Sequence, residues 1–190
     1  MKQVKEIKYY CFIGILIFCF ACSNEDETGN PNEITEKLSD EELLELVQEQ
    51  TFKYFWDFAG TNSGLARERS QADAYGGESR NIVTMGGSGF GLAAFPVAVE
   101  RGWITKAQAV ERLEKILNFL ETVPTYHGAF SHWYLDNTAK TRPFGNMDDG
   151  GDLVETAFLM QGLLINREYF SQETAIVNRI TSLWEAVEWD

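Results

Sequence analysis

Cysteine is almost missing from this 190-residue chain: Cys11, Cys19 and Cys22 are the only three, and all fall within the first 22 residues. The rest of the chain therefore excludes disulfides, thiolate-bound zinc and a cysteine nucleophile. Basic residues are also few, with 16 Lys and Arg against 29 Asp and Glu and a formal net charge of −13. Such a balance repels phosphate backbones, so no nucleic acid partner is expected and neutral or cationic ligands are favoured. Histidine occurs only at His127 and His132. Their spacing is not the one-face spacing of a helical metal pair, and no metal or other cofactor is expected. The longest apolar run after the leader, near residues 153–165, is shorter than the roughly 20 residues a membrane-spanning helix needs.

What is present divides the chain into three parts. Lys2, Lys5 and Lys8 precede an apolar stretch from Tyr9 to Phe20, and Ala21 stands before Cys22. Residues 1–21 therefore read as a signal peptide with Cys22 as the lipidated first residue of the mature chain. Residues 22–38 read as a polar tether, since Ser23 to Asn32 offers no hydrophobic anchor point. Loss of residues 1–21 removes three lysines and Glu6, which takes the charge from −13 to −15. Residues 39–190 remain as one domain, in a chain that is 44% apolar and 13% aromatic.

Within that domain the pattern is helical. Ser39 with Glu42 forms a capping box for a helix to about Phe58, with Leu43, Leu44, Val47, Thr51, Tyr54, Phe55 and Phe58 as its apolar stripe. A long irregular stretch follows, to about Gly87. A second helix, Ser88 to Glu100, is apolar all round, with Pro96 expected to kink or break it. Thr105 with Gln108 caps a third, amphipathic helix, and a second long stretch runs from Val123 to Gly151 with a small hairpin near Asp136-Asn137. A fourth helix, apolar all round, ends near Phe170, and Ser171 with Thr174 begins a fifth, amphipathic one.

Amphipathic and buried helices thus alternate, and the long loops precede the buried ones. The reading is all-α: the N-terminal part of an (α/α)6 toroid with long loops at one face, whose inner helices run parallel. A full ring needs about twice this length at ordinary helix and loop sizes, so the chain reads as part of a longer protein. The loops and four acids, Asp148, Asp149, Asp152 and Glu155, are expected at the N-terminal ends of the inner helices. Unpaired buried carboxylates are costly, and where they gather, acid and base chemistry is a common reason. Helix capping by Asp148 or Asp149 is the plainer alternative. A calcium site is another, although the spacing lacks the alternating ligands of an EF-hand loop. Acids beside Trp, Tyr and Arg suit a neutral sugar. The residues expected to bind it are Arg67, His132, Trp133, Tyr134, Arg142 and Asp149.

The run Asp148-Asp149-Gly150-Gly151-Asp152-Leu153-Val154-Glu155-Thr156-Ala157-Phe158 resembles the glucoamylase-like proteins of Bacteroidetes in glycoside hydrolase family 144. So do Gly89-Phe90-Gly91-Leu92-Ala93-Ala94, Glu100-Arg101-Gly102-Trp103-Ile104 and Gly128-Ala129-Phe130-Ser131-His132-Trp133. The polar segment after Cys22 likewise resembles the export signal of surface lipoproteins in that phylum. The resemblance implies an inverting hydrolase of β-1,2-glucan, endo-acting or releasing sophorose, with acidic site positions at Asp148, Asp152 and Glu155. A monomeric surface or outer-membrane lipoprotein, with an oligo- or polysaccharide as its partner, is expected. The alternatives are a glycan-binding lipoprotein without chemistry, or a glucoamylase-type hydrolase of another linkage.

Overall fold

The computed structural model describes residues 37–70, 78–143, 145–147 and 149–189. The expected signal peptide, Cys22 and nearly all of the tether lie outside the described residues, as does Asp148. The chain divides after Leu38, and the unit Ser39–Asp190 is the one described here.

Its helices are α1 (Asp40–Trp56), α2 (Met85–Glu100), α3 (Lys106–Leu120), α4 (Leu153–Tyr169) and α5 (Thr174–Glu185). Both capping boxes form as the sequence predicts: Ser39 and Glu42 close the start of α1, and Thr105 and Gln108 that of α3. Helix α5 differs, because Glu173 stands at its N-cap and makes no side-chain bond there.

Helices α2 and α4 pack along each other as the inner pair. Gly86 touches Glu155, Gly89 touches Phe158 and Gly162, and Leu92 touches Asn166, so both numbers rise together and the helices are parallel. Around them α3 and α5 also run parallel, from the Lys106–Glu173 ion pair to the Arg179 contact with Glu121. Helix α1 lies antiparallel to α2, Phe55 against Gly91 and Phe52 against Phe95. This is the layered arrangement of an α/α toroid.

The inner pair approaches as closely as backbone allows. A Cβ on Gly89 would lie 2.0 Å from the Phe158 carbonyl oxygen, and one on Gly162 would lie 2.2 Å from that of Gly89. Pro96, expected to kink or break α2, sits inside a continuous helix. Proline has no N–H for the carbonyl four residues back, and the buried Asn166 amide supplies the missing donor, 2.7 Å from the Leu92 oxygen. A sequence liability on α2 is thereby met from α4.

Two expectations need correction. Helix α1 does not turn its Leu43, Leu44 and Val47 stripe inward, since all three are exposed. It packs instead through Phe52 and Trp56, which meet Phe95 and Trp103, while Arg112 stacks 4.1 Å over Trp56. Large rings outweigh a leucine stripe in the area they bury. The inner helices have one open apolar edge, as a partial ring leaves: Phe90 and Val97 of α2 and Val154, Phe158 and Ile165 of α4 are exposed. Beside them, an apolar groove of about 870 Å³ is lined by residues that include Gln161, Leu164, Tyr169, Trp184 and Trp189.

Finally, the long loops are not wholly irregular. Strand β1 (Ile82–Thr84) pairs antiparallel with β4 (Trp133–Leu135), and β2 (Thr125–Tyr126) with β3 (Ala129–Phe130). Residues 66–68 continue the first sheet beside β1, and Thr141 beside β4, which forms the hairpin expected near Asp136-Asn137.

Asp136 pins that sheet to the end of α1. Its carboxylate accepts hydrogen bonds from the backbone and side chains of Asn62 and Ser63, at 2.6–3.1 Å. Burial alone raises this carboxyl, but the hydrogen bonds from Ser63 and Asn62 outweigh burial and hold it below the ordinary range.

Two outcomes follow for stability. Replacing Asn166 with Leu is expected to cost about 1–3 kcal/mol in urea unfolding by stranding the Leu92 carbonyl. The cost should shrink in a Pro96→Ala background, where the helix regains its own donor. Asp136→Asn should cost about as much at neutral pH. The contribution of ionised Asp136 is fully present above the ordinary carboxylate value of about 3.9 and is lost as pH falls through its lowered folded value, so the gap between variant and parent should narrow in acid.

Candidate active site

Parallel packing brings the N-termini of α2 and α4 to one level, and β1 ends and β4 begins beside them. Asp152, not Asp148 or Asp149, is the N-cap of α4: its Oδ1 accepts from the amides of Val154 and Glu155, each at 3.0 Å. Its own amide donates to the Phe130 carbonyl at 2.7 Å, and Thr156 Oγ1 accepts from the Phe130 amide at 2.8 Å. These bonds stitch β3 to the start of α4 and so fix the chain that continues into His132 and Trp133.

Glu155 sits in the first turn of α4 and points at the start of α2. Its Oε2 accepts from the Gly86 amide at 2.7 Å and from Thr84 Oγ1 at 3.3 Å. A carboxylate between two helix N-termini is favoured by both dipoles. Thr84 precedes α2 but makes no side-chain cap, so its hydroxyl is available for Glu155.

His132 completes the group. The His132 carbonyl accepts from the Met85 amide at 3.2 Å, its Nδ1 lies 3.0 Å from Asp152 Oδ2, and its Nε2 lies 3.8 Å from Glu155 Oε1. The Trp133 ring meets the His132 ring edge-on at 5.0 Å, and Trp133 Nε1 donates to Glu68 Oε2 at 3.0 Å.

Of the residues expected from sequence, the structure thus gathers Asp152, Glu155, His132 and Trp133. It does not gather Arg67, Tyr134 or Asp149, and Asp148 lies outside the described residues. Arg67 donates to the carbonyls of Phe58, Ala59 and Arg80, so its guanidinium holds the loop that follows α1. Tyr134 is fully buried rather than facing a ligand; its hydroxyl donates to the Pro124 carbonyl at 2.6 Å and accepts from the Ser131 amide. Burial pushes its phenol pKa up, which keeps that donor protonated. Arg142 joins the sheet through its amide, bonded to the Trp133 carbonyl, and Asp149 is exposed. His127, at φ +50° in the β2–β3 turn, pairs with Glu188 at 2.8 Å. Among the described residues, no three His, Asp or Glu side chains form a metal-binding group.

Sequence reasoning missed Glu68, Thr84 and Gly86. The Ile82-Val83-Thr84 triplet, β-branched and followed by Gly86-Gly87, is the signal that could have shown a strand running into a helix N-terminus. Glu68 has no comparable signal, since only strand pairing across the loops brings it to Trp133.

Residues 47–188 match the family described as Protein of unknown function (DUF3131). An exo β-1,2-glucooligosaccharide sophorohydrolase (non-reducing end) of Parabacteroides distasonis is 42% identical over an aligned length of 189, which covers 97% of this chain and 25% of that protein. An endo-β-1,2-glucanase from Chitinophaga pinensis, solved with sophorotriose and glucose, is 51% identical with a TM-score of 0.77, over 80% of this chain and 38% of that one. A β-1,2-glucanase from P. distasonis is 46% identical with a TM-score of 0.75, over 80% of this chain and 22% of that one. The chain therefore spans about a quarter of the length of the curated relative it matches. It belongs to the DUF3131 family, and the relatives it matches are β-1,2-glucanases and a sophorohydrolase of Bacteroidetes, consistent with the glycoside hydrolase family 144 type that its motifs resemble.

Proposed function

We propose that the protein carrying this chain hydrolyses β-1,2-glucan, either within the polymer or by releasing sophorose, through an inverting acid and base mechanism. The observation that carries this is the acid at the two converging helix N-termini, in a chain 51% identical to a β-1,2-glucanase of the same fold.

The chemistry needs one carboxyl to protonate the leaving oxygen and another to activate water, about 6.5–9.5 Å apart in an inverting enzyme. Glu155 is suited to one of these roles. With Oε2 occupied by Gly86 and Thr84, any proton it carries resides on Oε1, the oxygen that accepts no hydrogen bond among the described residues. Its partner is expected from Asp148 or from the greater length that the relatives have.

Incubation with β-1,2-glucan, starch and β-1,3-glucan tests the reading. Reducing sugar from the first alone, first formed as the α-anomer by NMR, is the expected result; release from starch alone would sink the substrate assignment. Glu155→Gln should lower turnover by about 10² to 10⁴. Gly86→Ala places a Cβ 2.7 Å from Glu155 Oε2 and should lower it by at least about tenfold, a misplacement effect. Gly86→Ala should not shift the melting temperature by more than a few degrees, because alanine is well tolerated in a helix.

We further propose that the protein is held at the outer membrane or cell surface by a lipid on Cys22, a reading supported by the basic and apolar leader and the polar segment after it. Cys22→Ala should abolish labelling by a fatty-acid analogue and move the protein to the soluble fraction. Equal labelling of both proteins would contradict this.

A further inference from the structure

The chemistry proposed for Glu155 leaves Glu68 without a role, although its side chain is only 18% exposed and both of its oxygens have partners. Oε2 accepts from Trp133 Nε1 at 3.0 Å and Oε1 from Arg69 Nη2 at 2.6 Å. Arg69 is exposed, and an ion pair to an exposed arginine contributes little. The bond to the indole is the one that gives this carboxylate a purpose.

The backbone that carries Glu68 is fixed from three sides. Tyr54 Oη of α1 donates to the Arg67 carbonyl at 3.0 Å, the Arg67 guanidinium binds three carbonyls, and the Glu68 amide donates to the Ile82 carbonyl at 3.0 Å. Strand register then decides where the carboxylate points. Arg67 stands opposite Val83 and Val83 opposite Tyr134, so these three share one face of the sheet, while Glu68, Thr84 and Trp133 share the other. Thr84 on that second face donates to Glu155, which makes it the face of the proposed site.

Trp133 is half-buried at the start of β4. Its ring lies 5.0 Å from that of His132, whose Nδ1 is 3.0 Å from Asp152 Oδ2. Strand backbone allows more than one setting of a side chain's first torsion. A charge-assisted bond from Nε1 to a carboxylate on fixed backbone selects one of them. A large ring offers contact area at low entropic cost, and a ring already set loses still less when a ligand arrives.

We propose that Glu68 is a positioning residue for carbohydrate: by holding Trp133 Nε1 it sets the indole as a side wall of the site, where a sugar ring next to Glu155 packs against it. The identity of the sugar rests on the β-1,2-glucan reading above; the setting of the indole does not. Glu68 acts through the ring and takes no part in proton transfer.

The ring and the reaction can be read separately in the full-length protein. Trp133→Phe lacks the indole N–H and so identifies that resonance in ¹⁵N spectra. Glu68→Ala should move it, while Glu68→Gln, which keeps an acceptor oxygen, should leave it nearly in place. On β-1,2-glucan, Glu68→Ala and Trp133→Phe should each raise KM by about three- to tenfold, the scale of one aromatic contact. Their kcat should change less than about twofold, the split expected when ground-state and transition-state binding weaken together. Glu68→Gln should stay near the parent, and Glu68→Ala should add nothing in a Trp133→Phe background, because the two residues act as one unit. The Gln and Phe variants decide the matter if Glu68→Ala fails to fold. An unchanged KM in Trp133→Phe, effects of the two changes that multiply, or a loss confined to kcat overturns the proposal. A parent inert on β-1,2-glucan overturns the substrate reading instead, and the Trp133 indole resonance then decides. A saturable shift with sophorotriose, laminaritriose or maltotriose, at weaker affinity in Glu68→Ala, supports the wall; no shift with any of them, or equal affinity in both proteins, overturns it.

Discussion

Everything at the proposed site depends on the contact between Gly89 and Gly162. With no side chain on either, the backbones of α2 and α4 touch, since a Cβ at either position would lie about 2 Å from a carbonyl oxygen of the other helix. Contact this close leaves little freedom in the relative height of the two helices. Their N-termini are level because the helices run parallel in that register, and this brings the Gly86 amide to the Glu155 carboxylate. The Asn166 bond to the Leu92 carbonyl fixes the same register three to four residues farther along and offsets the donor that Pro96 lacks. Packing, helix continuity and the placement of the acid are thus one constraint.

On that frame the loops serve as walls. Thr156 and Asp152 hold β3 to α4, Met85 holds His132, and Ser88 ties β1 to Ala66 by donating to the Thr84 carbonyl and accepting from the Ala66 amide. Asp136 performs the corresponding task on the far side of the sheet, at Asn62 and Ser63. Two kinds of carboxylate therefore occur in this unit. Asp136 is held by four donors and keeps structure, whereas Glu155 has one oxygen that accepts no hydrogen bond among the described residues. The apolar groove between α4 and α5 contains none of the site residues, so its size has no bearing on the chemistry.

Much of this was legible in the sequence. Both capping boxes, the alternation of helix types, the parallel inner pair and the convergence of loops and acids at one end followed from period and cap residues alone. What failed has physical causes. The Leu43, Leu44 and Val47 stripe was read as inward because periodicity finds a stripe without saying which of two faces buries more area; Phe52 and Trp56 decided it. Arg67 and Tyr134 looked like sugar contacts because residue type is blind to partners. One is committed to three carbonyls and the other to Pro124 and Ser131. Glu68 is invisible for the opposite reason, as its importance comes from strand pairing, which no local pattern carries.

The central claim is that the converging helix N-termini form the carbohydrate site. The most direct measurement is a titration of the ¹⁵N-labelled protein with sophorotriose, followed through backbone amide shifts. The account predicts that the largest shifts fall at Gly86, His132, Trp133 and Glu155 and vanish with Glu155→Gln or Gly86→Ala. Shifts centred instead on Leu164, Tyr169 and Trp184, or no saturable shift at all, would contradict it.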